Sequence, residues 1–148
     1  MRRALFCYLA MGFASVLGAS EARDISFRSA NDQSEQRYVL ALPEGFDSAR
    51  AHDLLICLHG HGSDRWQFVR DDRGEARAAR DVARQHRMIF VSPDYRATTS
   101  WMGPAAEADL VQIIRDLKKQ HAIRRLVLSG GSMGATSALT FTALHPDL

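Results

Sequence analysis

Three short apolar runs, each stopped by a turn of glycine, proline or serine, constrain this chain more than any other feature. Asp53 to Leu58 stops at His59-Gly60-His61-Gly62, Met88 to Val91 at Ser92-Pro93-Asp94, and Arg125 to Leu128 at Ser129-Gly130-Gly131. None alternates polar with apolar residues, so each suits a strand covered on both faces, as parallel strands are. A fourth segment, Gln36 to Leu42, does alternate and ends at Pro43, which predicts a strand and a turn through Glu44-Gly45. Between the runs lie helical patterns. Ala106, Leu110, Ile113, Ile114 and Leu117 recur at helical spacing from Pro104 to Gln120, with Pro104 suited to the first turn. Arg73 to Arg87 has a thin apolar face of Ala79, Val82 and Ala83. Its arginines at 73, 77, 80, 84 and 87 are interleaved with acidic residues, which reads as a solvated face and not as a dock for an acidic partner. Strands alternating with helices of this size predict an α/β class chain, a three-layer sandwich around a mostly parallel sheet with right-handed crossovers. Ligands of such sheets bind beyond the carboxyl ends of the strands, where all three turn motifs fall.

The turn Gly130-Gly131-Ser132-Met133-Gly134 is a G-x-S-x-G pattern between a predicted strand and a predicted helix. A serine hydroxyl is a poor nucleophile unless its oxygen projects clear of the backbone and a base takes its proton. A sharp strand-to-helix turn projects it. Gly130 and Gly134 suit a strained turn where strand and helix approach closely. The helix N-terminus and the Met133 N–H then point to where negative charge would develop. A phosphate-binding turn would want a lysine after the glycines or a G-x-G-x-x-G fingerprint, and the sequence has neither. His59 and His61 have no third ligand at metal-like spacing, and glycines beside them make a loose scaffold, so no metal or cofactor is called for.

The segments Leu54 to Gly62 and Val127 to Ala135 together resemble the α/β-hydrolases, in particular the secreted esterase and prolyl-oligopeptidase-like group. Feruloyl, acetyl-xylan and polyhydroxyalkanoate esterases have similar motifs, and the arrangement extends over residues 36–148. The resemblance implies a second oxyanion donor on the loop after Asp53–Leu58, assigned to the backbone of His61 with Gly60 as the neighbouring possibility. It also puts Asp94-Tyr95-Arg96 and Ser100-Trp101-Met102 in a loop that often borders the substrate pocket. Trp101 is either a pocket residue or a loop residue packed on the following helix.

Triad order in that family is serine, acid, histidine, the last two on loops after later strands. His145 and Asp147 come at the end of the helix that starts at Ser132 and are expected to be a helix terminus. The fold is therefore read as C-terminally incomplete, its nucleophile strand bare on the outer side, and this form as inactive and unstable alone. The expected chemistry is carboxylic-ester hydrolysis through an acyl-serine intermediate, on a small-molecule or polysaccharide-linked ester. A serine peptidase or acyltransferase with the same core, or a non-catalytic α/β binding module, are the alternatives.

Arg2 and Arg3 precede an uncharged apolar stretch from Ala4 to Ser20, followed by small residues at Ser20 and Ala22. A positive start, a short apolar middle and a small-x-small site make a secretory signal peptide over residues 1–22, ahead of a hydrolase segment over residues 23–148. A membrane anchor fits less well, because the run contains Gly12, Ser15 and Gly18. Removal of two arginines and one glutamate takes the formal net charge from +2 to +1, which calls for no nucleic-acid partner, and no membrane contact is expected after cleavage. It also leaves Cys57 alone inside an apolar run, a buried and inert thiol. The protein is thus expected outside the cytoplasm, secreted or periplasmic, with Arg23 as its first residue. Mass spectrometry of the exported protein checks this, and Met1 on membrane-retained protein would favour an anchor.

Overall fold

The computed structural model describes residues 21–148, so the leader read from residues 1–22 lies, apart from its last two positions, outside the described residues. The chain runs β1 (Arg23–Arg28), β2 (Glu35–Ala41), β3 (His52–Leu58), α1 (Gln67–Arg70), α2 (Gly74–Gln85), β4 (Ile89–Pro93), α3 (Pro104–Gln120), β5 (Ile123–Gly130) and α4 (Met133–Leu144). One sheet holds all five strands in the order β1-β2-β4-β3-β5. β4 and β5 flank β3 in parallel, while β2 pairs antiparallel with both β1 and β4. Only β2 therefore runs against the rest. The parallel sheet expected from the three apolar runs is present, extended at one side by a hairpin.

β3 is buried along its whole length, and its side chains divide by the strand period of two. Leu54, Ile56 and Leu58 face a core completed by Leu110, Ile113, Ile114 and Leu117 of α3 and by Met133 and Phe141 of α4. Leu55 and Cys57 face the opposite core, with Phe68, Ala76, Ala79 and Ala83 of the α1–α2 side. Each fully buried leucine or isoleucine contributes roughly 1.5–3 kcal/mol. Both faces of the central strand thus carry stabilising layers, and from Leu54 to Leu58 the strand between them is apolar throughout. Burial also pushes the Cys57 thiol pKa up, which keeps it protonated.

α3 has the bounds its periodicity predicts, with Pro104 in the first turn and Lys118 and Lys119 in the last, where the helix dipole favours cations. Arg73, Arg77, Arg84 and Arg87 of the arginine stripe are exposed, as a solvated face requires, and Arg80 alone is half-buried. Arg80 donates to the carbonyls of Phe68 and Asp71 at 2.8 and 2.7 Å, clipping α2 onto α1. β1 was not expected, because Arg-Asp-Ile-Ser-Phe-Arg has only two apolar residues. Its order comes from the ladder with β2, from Arg23 opposite Leu40 to Arg28 opposite Glu35, and from Ile25 and Phe27 packing against the core. β5 pairs with β3 along one side and forms the edge of the described sheet, where Val127 is 41% exposed. No helix among the described residues is long and apolar enough to cross a membrane.

The pairing of β3 with β5 shifts register between His52 and Leu54, opposite Ile123 and Leu126. The extra residue on β5 lets two successive arginines reach one carboxylate, Arg124 at 2.9 Å and Arg125 at 2.6 Å from Asp53. Asp53 is almost fully buried, and its hydrogen bonds from Arg124 and then Arg125 hold its pKa well below the usual carboxylate range. A carboxylate with a depressed folded-state pKa stabilises the fold above its unfolded value of about 3.9 and loses that contribution as the pH falls further. Asp53→Asn should therefore lower unfolding free energy at neutral pH by about 1–2 kcal/mol, since both arginines remain largely in water. In urea melts the gap between variant and parent should close as the pH falls below about 4; a gap that persists there would count against the carboxylate as its source.

Candidate active site

The turn from β5 into α4 places Ser132 at φ 53° and ψ −118°, a left-handed conformation costly for any residue with a Cβ. Ser132 is exposed, whereas Met133 and Gly134 behind it are buried. The flanking glycines are explained by space, and the strain sits at the serine itself. A Cβ on Gly130 would lie 2.4 Å from the backbone carbon of Gly134, and one on Gly134 would lie 2.0 Å from the Leu58 carbonyl oxygen. The first turn of α4 therefore rests on the backbone at the end of β3. Gly134 donates to the Gly131 carbonyl at 2.9 Å and Ala135 to that of Ser132 at 3.0 Å. The Met133 N–H, between them and the serine, has no acceptor among the described residues.

The loop after β3 adjoins this turn, since a Cβ on Gly60 would meet the Gly131 carbonyl at 3.5 Å. Its backbone donors are mostly committed. Gly60 N–H donates to the side-chain oxygen of Gln67 at 2.7 Å. Gly62 N–H donates to the Thr98 carbonyl at 2.8 Å and Ser63 N–H to the Gly60 carbonyl at 3.2 Å. From Gly60 to Ser63, only the His61 N–H has no acceptor among the described residues, and His61 is exposed. His59 is fully buried, its ring nitrogens 2.9 Å from the Gly60 carbonyl and 3.1 Å from that of Asp94. With His59 so held, the two histidines share no metal geometry. Among the described residues no group of three or more His, Cys, Asp or Glu is placed to hold a metal ion.

The loop after β4 is chiefly a scaffold for the loop after β3, a role the sequence did not reveal. Asp94 accepts from both the backbone and the guanidinium of Arg65 at 2.9 Å, and Arg65 reaches on to Asp24 of β1. Tyr95 donates its hydroxyl to the His59 carbonyl at 2.6 Å, and burial pushes its pKa up to about 12, so it remains a donor. Arg96 anchors the loop from below: its guanidinium lies 2.5 Å from Asp109 of α3, which is 2% exposed, and it also contacts Asp32 and Ser29 of the β1–β2 turn. Trp101 is 52% exposed and its ring centre lies 6.3 Å from that of His61, so it faces the loop after β3. Tyr95, Arg96, Trp101 and Met102 all have positive φ, which such anchoring sustains.

His145 caps the far end of α4, about 18 Å from Ser132 at 1.5 Å rise per residue over its 12 residues. Its Nε2 lies 2.9 Å from the Glu107 carboxylate, and its ring packs at a tilt against Phe141, with centroids 4.6 Å apart. It belongs to the contact between α4 and α3. A groove of about 940 Å³ between α2 and the end of β2 is likewise lined by residues remote from Ser132.

A family model described as the alpha/beta hydrolase fold matches residues 56–146. Feruloyl esterase C of Emericella nidulans is 30% identical over 64 residues, 43% of this chain and 24% of that protein. A ferulic acid esterase from Anaeromyces mucronatus, solved in complex with ferulic acid, superposes with a TM-score of 0.70 at 22% identity, covering 90% of this chain and 57% of that one. The fluorophosphonate-binding serine hydrolase F of Staphylococcus aureus superposes with a TM-score of 0.68 at 19% identity, covering 88% and 54%. The chain thus spans just over half the length of these solved structures and about a quarter of the curated relative.

The glycine geometry separates two kinds of substitution. Gly134→Ala should lower unfolding free energy by about 2 kcal/mol or more, because the backbone atoms of Leu58 and His59 that its Cβ would meet cannot yield. Gly131→Ala should cost much less, since its Cβ would meet only the flexible Glu75 carboxylate, at 2.5 Å. Denaturant unfolding of both variants checks the order; equal losses would contradict the backbone contact.

Proposed function

The chain belongs to the α/β-hydrolase fold family, and from that premise we propose that it is the nucleophile-bearing part of a serine hydrolase that cleaves carboxylic esters through an acyl-serine intermediate. One observation carries the reading: an exposed serine at φ 53° between strand and helix, with two uncommitted backbone donors, His61 N–H and Met133 N–H, on the two segments that meet beside it. Ser132 Oγ attacks the ester carbonyl carbon as its proton passes to a base, and the carbonyl oxygen becomes an oxyanion. The N–H groups of His61 and Met133 receive that charge, aided by the partial positive charge at the start of α4. The alcohol leaves with a proton, and water then hydrolyses the acyl-serine. His59, with both ring nitrogens against carbonyls, and His145, beside Glu107, are each engaged elsewhere and take no part in these steps.

The substrate reading follows from Trp101. An exposed indole beside His61 offers a flat apolar surface next to the proposed oxyanion donors, which suits an ester with an aromatic or apolar acyl group. Ferulic acid esterases among the structural relatives support the same class. Export by the leader over residues 1–22 would bring the enzyme to esters outside the cytoplasm, whether free or attached to polysaccharide.

A fluorophosphonate probe on the full-length protein should label Ser132 and no other residue. Ser132→Ala should abolish labelling and lower kcat on a p-nitrophenyl ester by about 10⁴–10⁶-fold. Labelling retained in that variant would refute the assignment.

A further inference from the structure

We infer that Gln67 is a positioning residue for the oxyanion-binding loop, holding the peptide before His61 so that the His61 N–H stays free and aimed; this rests on the functional reading above. Gly60 N–H donates to the Gln67 side-chain oxygen at 2.7 Å, and the Gly131 carbonyl adjoins the same residue, 3.5 Å from where a Cβ would be. Two residues on, Gly62 N–H is fixed to Thr98 at 2.8 Å. The His61 peptide lies between these two bonds; its carbonyl, that of Gly60, also accepts from Ser63 N–H at 3.2 Å and faces His59 Nδ1 at 2.9 Å, while the Gly60 N–H has the Gln67 carboxamide as its only acceptor among the described residues.

The support under Gln67 is rigid. Its own N–H donates to the Asp64 carbonyl at 3.1 Å, its carbonyl accepts from Asp71 at 3.0 Å, and Trp66 N–H donates to the Asp64 carboxylate at 2.8 Å. The next residue, Phe68, is fully buried in the core on the α2 side of β3. The side-chain oxygen of Gln67 is therefore fixed relative to the sheet. An unspent Gly60 N–H would compete with His61 for the developing charge and leave that end of the loop free to shift. Gln67 removes both freedoms without touching substrate.

The test compares Gln67→Met, which keeps length and loses the acceptor, with Gln67→Glu, which keeps an acceptor at the same reach. In the full-length protein acting on a p-nitrophenyl ester, Gln67→Met should lower kcat by about 10–100-fold, the scale of a small misplacement in a catalytic site. KM and Tm should stay near the parent values, and the Gly60 amide should exchange faster with solvent. Gln67→Glu should recover kcat to within about three-fold of the parent, below the tenfold step that 1.36 kcal/mol of barrier represents. An unchanged kcat in Gln67→Met, or equal losses in both variants with a matching fall in Tm, overturns the positioning role while Ser132 labelling leaves the parent reading intact. Failure of the unsubstituted protein to label at Ser132 overturns the parent reading and this one with it.

Discussion

The first turn of α4 lies directly on the carbonyls that end β3, and the rest of the molecule is arranged to make that contact possible. Only a residue without a Cβ fits at 134, where an added carbon would sit 2.0 Å from one carbonyl oxygen and 2.8 Å from the next. The contact requires β3 to be central and stiff, which its full burial on both faces provides. It also requires the chain to turn sharply out of β5, and Ser132 bears the cost in an unfavourable φ. Strain at one exposed residue is thus sustained by backbone packing beneath it.

A second layer of control is polar. The crossover from β3 leaves by one face of the sheet and α4 packs on the other, so the loops at their ends diverge and open a crevice. Its walls are loops, which would wander without anchoring. Arg65 and Arg96 supply the anchors, bridging the β1–β2 hairpin, the loop after β4 and α3. Burying the charge of Asp109 is expensive, and such a pair contributes less to net stability than apolar packing in the same space would. It does hold a geometry that apolar contacts, being non-directional, would leave loose.

The strands and helices next to the crevice were legible because their sequences are governed by local rules. α3 follows its periodicity to the residue, and β3 shows the continuous apolar run that double-sided burial demands. The serine turn was legible for a similar reason, since its glycines answer to steric limits inside one short segment. β1 was not, because two apolar residues in six do not distinguish a strand from a loop and its order comes from β2 and the core behind it. Gln67, Arg65 and Arg96 were not legible either. Their partners lie 7, 29 or 41, and 13 or more residues away, and nothing at those separations repeats or alternates.

The loop after β3 is held by backbone bonds at Gly60 and Gly62, and the side chain of His61 takes no part in fixing it. The residue between the two anchors can then change identity without moving the N–H it carries. A position whose main chain is fixed and whose side chain faces solvent beside the nucleophile lets selection, or a mutagenesis library, explore new substrate contacts at little structural risk. Divergence in specificity across a lineage of such proteins should accumulate at position 61 while Gly60, Gly62 and Gln67 stay unchanged.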